Sequence, residues 1–309
     1  MENFRGLTFL KNLKGVGKAK IYKKYWEYLQ NDLTVNELAE VVVEQENGIT
    51  ISDVSDAMEK AGRLNDSLID ASDLYVITAL DDDYPDRLKV MGNKRPLILY
   101  VRGNREALYK PNIAIVGTRH PSEWSQKVEE RLVKKTLEMS DRVVVSGLAL
   151  GCDKIAHKTT VDMGKETIAV LPSGVNVISP AAHRGLAQDI IDNGGCLVSE
   201  YEPNVKASRA YFVERDSLVA ALSDVTFVVQ CGVKSGTMHT VDAAFKYERK
   251  LGCYYPTSME LGDYSGNEYM IKMKNAVKVS DTDDLIDLLT DVSEQSKESQ
   301  QLSFEDLLQ

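Results

Sequence analysis

Residues 113–157 read IAIVGTRHPSEWSQKVEERLVKKTLEMSDRVVVSGLALGCDKIAH. The apolar run Ile113–Val116 stops at Gly117, and a helical pattern follows from Glu123 to Glu138. Arg142–Ser146 repeats the apolar run and stops at Gly147, with a second helix expected from Asp153 to Met163. Apolar runs without polar alternation are strands buried on both faces, and helices between them make the sheet parallel. The theme continues outward. Thr167–Leu171 precedes a helix expected over His183–Asn193, Gly195–Glu200 precedes one over Arg215–Leu222, and Val225–Gln230 precedes one over Thr237–Arg249. Gly252–Tyr255 is a last strand, and Leu74–Thr78 and Leu97–Val101 are β-branched or apolar runs upstream. The pattern predicts an α/β domain, an extended Rossmann-like doubly wound sheet that is mostly parallel, over residues 73–290.

Residues 1–72 have a different period. Leu7, Leu10, Leu13, Ile21, Tyr25 and Leu29 mix steps of three and four, interrupted by Lys14-Gly15-Val16-Gly17-Lys18. Two glycines two apart between helices make a tight turn, giving a small all-α domain like a helix-hairpin-helix. Lys11, Lys14, Lys18, Lys20, Lys23 and Lys24 cluster there. Thr34 and Glu37 form a capping-box pattern ahead of a helix to Val43, and Ser52–Ala61 reads as another helix stopped by Gly62.

The chain has 309 residues and a formal net charge of −10. A uniformly basic nucleic-acid binder is excluded by that total, but the charge is uneven. Residues 1–70 carry 9 basic and 12 acidic side chains, residues 71–280 carry 27 and 26, and residues 281–309 carry 1 and 9. The middle region can therefore hold a basic groove, while residues 291–309 read as an acidic tail with a possible partner of its own through QLSFEDLLQ. Cys152, Cys196, Cys231 and Cys253 form no C-x-x-C pair, which fits reduced thiols in a cytoplasmic protein. The beginning MENFRGLTFL has no signal-peptide profile, and no apolar run is long enough to span a membrane.

Four loops at the carboxyl ends of the strands carry the chemistry. Gly117-Thr118-Arg119 combines close backbone approach, a hydroxyl and a planar guanidinium. Ser146-Gly147 leads through Gly151 into Asp153 and His157. Pro172-Ser173-Gly174 is the third. Lys234-Ser235-Gly236-Thr237-Met238-His239-Thr240 opens a helix, so amide donors and the positive end of the dipole meet there. Together they favour a phosphate-bearing ligand. Neither G-x-G-x-x-G nor G-x-x-x-x-G-K-[ST] occurs, so no dinucleotide cofactor or ATPase loop is implied. His120, His157, His183 and His239 have no metal-ligand spacing, and no metal is expected.

The segments LDDDYPDRL, PLILYVRGN, IAIVGTR, VVVSGLALGCDKIAH, TIAVLPSG, GCLVSEYEP and VKSGTMHT resemble, in order and spacing, the DprA/Smf family of bacterial DNA-processing proteins. The resemblance covers about residues 75–257. It implies a protein of natural transformation that binds and protects single-stranded DNA, acts as a homodimer, assists RecA loading and is not an enzyme. By the same resemblance Arg119, Ser146, Gly147, Gly151, Asp153 and His157 match family motifs, and one arginine of an Arg-Asn-Arg motif is kept as Arg215. The sequence departs from the pattern at Leu150, Ala181 and Ser217, where positive charge is lost, with Arg184 as a substitute; Arg209 and Lys234 add to the set. The family's C-terminal winged-helix-like domain is expected to be replaced by the acidic tail. The fourth loop is similar to one in nucleotide-processing hydrolases, but Thr240 stands where those carry a carboxylate, so catalysis is not expected. The lost charges leave open an alternative in which the same loops bind a free nucleotide or nucleotide-derived signal.

Overall fold

In the computed structural model the apolar runs form strands and the periodic segments form helices. The structure describes residues 2–31, 33–69, 73–256, 258 and 261–290, so the expected tail at 291–309 lies outside the described residues. The chain divides into two units between Arg102 and Gly103.

In the first unit α1 (Glu2–Asn12) meets the turn at Lys14–Gly17, where Gly15 has φ +77°. Then come α2 (Lys18–Lys20), a π-helical stretch Ile21–Tyr25, α3 (Trp26–Gln30), α4 (Val35–Gln45) and α5 (Ile51–Ile69). Leu7, Phe9, Leu10, Ile21, Tyr25 and Leu38 are fully buried at its centre. The capping box at α4 forms as read: the Glu37 amide donates to Thr34 Oγ1 at 3.3 Å, and the Thr34 amide donates to Glu37 Oε2 at 2.8 Å. Gly62 does not end α5. The helix continues because Val54, Ala57, Ala61 and Asn65 keep one face buried, which outweighs the cost of about 1 kcal/mol for a glycine inside a helix. The hairpin lysines are partly committed within the unit, with Lys20 and Lys24 2.6 and 2.7 Å from Glu46. An antiparallel pair, β1 (Leu74–Thr78) and β2 (Ile98–Gly103), completes the unit with Leu74 opposite Arg102. The sequence reading assigns residues 73–102 to the second domain; here they lie with the helices, where α1 packs on β1.

The second unit is a parallel sheet. Its strands are β3 (Asn112–Val116), β4 (Val143–Ser146), β5 (Thr167–Val170), β6 (Cys196–Ser199), β7 (Val225–Val228), β8 (Lys250–Tyr254) and β9 (Val277–Val279). They lie in the order β6-β5-β4-β3-β7-β8-β9. Every residue of β3 to β7 in these spans is buried, as strands covered on both faces require. The helices are α6 (Glu123–Met139), α7 (Cys152–Asp162), α8 (Arg184–Asp192), α9 (Arg209–Leu222), α10 (Thr237–Lys246), α11 (Ser265–Lys274) and α12, over 282–290. From β3 the chain winds to β6 in one direction, then returns and winds from β7 to β9 in the other. Right-handed crossovers therefore place α6, α7 and α8 on one face and α9, α10 and α11 on the opposite one. The last helix, α12, follows the last strand and packs on the first face, where Leu285, Leu288 and Leu289 share a buried cluster with Leu132, Val133 and Leu137 of α6. Consistent with this, α6 packs on α7, α7 on α8, and α9 on α10. The reversal falls between β3 and β7, whose register sets Val116 beside Val228. Ligands in doubly wound sheets bind at this switch point, beyond the strands' carboxyl ends.

Candidate functional site

A cleft of about 640 Å³ opens at that switch point. It is lined from three directions: by Gly117, Thr118 and Arg119 after β3, by the start of α9 from Ser208 to Asp216, and by Ser235, Gly236, Thr237 and His239 at the N-terminal end of α10. Gly147, Ala149 and Asp153 form part of its floor.

The floor is a set of buried polar contacts. Gly147 and Ala149 donate their amides to Asp153 Oδ2 at 3.2 and 3.3 Å. Arg215, 4% exposed, donates from Nη1 to the Gly147 carbonyl, and to the Val170 carbonyl at 3.3 Å, with Asp153 Oδ2 3.8 Å away. Burial raises the Asp153 carboxyl above its ordinary range, while Arg215 and the two amides pull it back. Gly147 has a specific steric reason, since a Cβ there would lie 1.6 Å from Arg215 Nη1. The loop is bent by Leu148 and Gly151, with φ of 56° and 76°. A Cβ on Gly151 would meet the Thr118 carbonyl oxygen at 2.3 Å. Gly117 is equally confined, with its would-be Cβ 2.5 Å from Cys152 Sγ.

The rim is different. Arg119 and Arg209 are exposed. The Arg119 guanidinium lies 5.3 Å from the centre of the Phe212 ring, and Arg215 reaches the same ring at 5.9 Å. Phe212 is half-buried, so it offers an aromatic face beside two cations. The N-terminus of α10 points into the cleft behind Gly236, where no side chain caps it. Asp216 Oδ1 sits 3.0 Å from Arg215 Nε. Burial raises the Asp216 carboxyl to about 6, opposed chiefly by Arg215. Anion-binding groups thus converge on one opening, tempered by a carboxyl that titrates near neutrality.

The structure brings together Gly117, Thr118, Arg119, Gly147, Asp153, Arg215, Ser235, Gly236 and Thr237. The remaining sequence candidates lie outside this lining. Ser146 is fully buried and donates to the Ile115 carbonyl at 2.8 Å. His157 is fully buried with Nδ1 2.8 Å from Thr167 Oγ1, and burial lowers its imidazole to about 3, so it stays neutral. Gly174 is buried where a Cβ would meet the Glu202 carbonyl oxygen at 2.4 Å. Gly151 faces a neighbouring groove, Arg184 is exposed at the start of α8, and Lys234 is exposed one residue before the lining begins. Phe212 and His239 also line the cleft; the sequence reading places His239 in the fourth loop without a site role, and gives Phe212 none. The reason for Phe212 is that α9 starts at Arg209, not Arg215: Ser208 caps it by accepting the Tyr211 amide at 3.4 Å, which places Phe212 on the helix's first turn. A serine followed by an arginine-aromatic run was the available signal. Among the described residues no group of three or more His, Cys, Asp or Glu side chains gathers as a metal site, and no helix is long and apolar enough to cross a membrane.

The profile of the family described as DNA recombination-mediator protein A matches residues 75–290. Protein Smf of Escherichia coli is 31% identical over 215 residues, which is 70% of this chain and 56% of that protein. The chain spans about half the length of the curated relatives it matches. Among solved structures, DNA processing protein A of Streptococcus pneumoniae has a TM-score of 0.73 at 26% identity, covering 93% of this chain and 97% of that one. DNA processing protein A of Helicobacter pylori, described for its single-stranded DNA binding mode, has a TM-score of 0.62 at 27% identity, covering 71% and 96%. With its switch-point cleft set in a fold and a sequence that both match, this chain belongs to the DNA recombination-mediator protein A family.

Proposed function

We propose that this chain binds single-stranded DNA through the switch-point cleft and, by holding and protecting the strand, assists RecA loading in recombination and transformation. The observation that carries this reading is the convergence of Arg119, Arg209, the Phe212 ring and the uncapped end of α10 on one opening. Sequence-independent binding of a single strand needs cations for phosphates and a flat face for bases, and this rim has both. The single-stranded DNA binding mode described for the Helicobacter pylori protein supports it. In this reading the chain works as a homodimer in the cytoplasm, in keeping with four buried free cysteines. It acts by binding, not catalysis: Asp153 is engaged by two backbone amides and Arg215.

The test is fluorescence anisotropy with labelled oligothymidylates at two salt concentrations, for the unaltered chain and for Arg119→Ala/Arg209→Ala. These arginines are exposed, so their removal leaves the fold intact. Tight binding that weakens with salt and with the double substitution supports the reading; no binding at low salt by the folded chain ends it. Retention of RecA on coated strands, and mass by light scattering, test the partner and the dimer. One observation favours the second reading, a free nucleotide ligand: Asp153 and Asp216 offset the charge of Arg215 within the cleft. Saturable mononucleotide binding without dependence on strand length would select it.

A further inference from the structure

We infer that a second groove, between α6 and α7, carries the same DNA strand onward from the switch-point cleft. The inference rests on the reading above. The groove measures about 730 Å³. Its cations are Arg119, Lys134, Lys154 and Lys158, and its acids are Glu130 and Asp162. Lys158 is committed to Asp162, with oxygens at 2.8 and 2.9 Å. Lys134 and Lys154 are exposed, and no acidic side chain among the described residues lies within ion-pair distance of either. The adjacent Lys135, by contrast, is paired with Glu138 at 3.2 Å. Two lysines held on two different helices, unpaired and facing one groove, suit a row of phosphates.

Continuity identifies the occupant as a polymer. Arg119 lines both the groove and the cleft. The ridge between them is the contact of the Thr118–Arg119 backbone with Gly151, where a Cβ would lie 2.3 Å from the Thr118 carbonyl oxygen and 2.6 Å from that of Arg119. Glycine at this point keeps the ridge low. Beside it Leu150 is 45% exposed, an apolar surface at the groove's edge against which a base can rest. A mononucleotide fills one depression; only a strand occupies both and uses Arg119 as the shared contact.

The experiment compares the full chain with Lys134→Glu/Lys154→Glu by anisotropy over oligothymidylates of increasing length and several salt concentrations. Thermal unfolding verifies that the exposed substitutions leave the fold unchanged. We expect unchanged affinity for the shortest strands that bind. For longer strands we expect a loss of about tenfold or more and a log–log salt slope shallower by about 1.4, at about 0.7 per phosphate contact. Benzoylphenylalanine in place of Leu150 should cross-link to long strands and not to the shortest. Unaltered length dependence and slope, or no cross-link to a long strand that is bound, overturns the second groove while leaving the cleft's role intact. Absence of binding by the unaltered chain overturns both.

Discussion

The floor and the rim of the switch-point cleft both contain arginine, and the two uses differ in kind. Arg215 on the floor is buried and spends its donors on the Gly147 and Val170 carbonyls beside Asp153. Arg119 and Arg209 on the rim are exposed, and Arg119 rests against Phe212. A buried guanidinium is a structural strut, costly to remove because its partners are then left unpaired. An exposed one is available to a phosphate and contributes little to folding. The motif letters are the same; the environment assigns the role.

The sharpest way to break this contrast is Arg215→Ala. It strands the buried Asp153 carboxyl and two carbonyls, so stability should fall by about 3–5 kcal/mol, read by denaturant unfolding. A loss of DNA binding with unchanged stability would instead make Arg215 a ligand contact. Next is Gly147→Ala, whose Cβ collides with Arg215 Nη1. It should cost about 1–3 kcal/mol as overpacking, and less when combined with Arg215→Ala, since the two clash with each other. On the rim, Arg119→Ala should leave the melting temperature unchanged, weaken single-stranded DNA binding about tenfold, and reduce the salt slope by about 0.7.

The smallest effect concerns Asp216, which lies between floor and rim. Its carboxyl titrates at about 6, raised from 3.8 mainly by burial. Above pH 6 it adds negative charge to the cleft, and below pH 6 it is neutral. DNA affinity should therefore rise a few-fold as pH falls from about 7 to about 5, beyond the response of an exposed carboxyl. The folded value exceeds the unfolded one, so the group's contribution to stability is complete below pH 3.8 and is lost as pH rises through 6. Asp216→Asn should abolish both pH dependences and bind DNA at pH 7 as tightly as the original chain does at pH 5. A persistent pH response in that variant would overturn the assignment of the titration to Asp216.

The parallel sheet was legible because its signal is local. Ile113–Val116, Val143–Ser146, Thr167–Val170 and Val225–Val228 are mostly apolar without alternation, and each is followed within two residues by a glycine, proline or polar residue. The capping box at Thr34 was legible for the same reason, since three residues contain the whole interaction. The start of α9 was not, because its Ser208 cap lies among polar residues that also suit a loop. The end of α5 is not set by Gly62, because burial of the helix face outweighs the intrinsic preference of glycine.

The α/β class of the second unit, the helical start of the first, the glycine-bearing loops and the family resemblance are all written in the order of the residues. These follow from spacing along the chain, which local backbone sterics and burial patterns translate directly into elements. Which motif residues line the cleft follows from the packing of distant segments. That packing buried His157, Ser146 and Gly174, turned Arg215 into a strut, and set Phe212 and His239 on the rim. It also made Arg119 common to two grooves. The physical reason is that a side chain's charge, donors and reach acquire a function only through what surrounds them. Those surroundings come from residues tens of positions away in the chain, joined by the reversal of winding between β3 and β7.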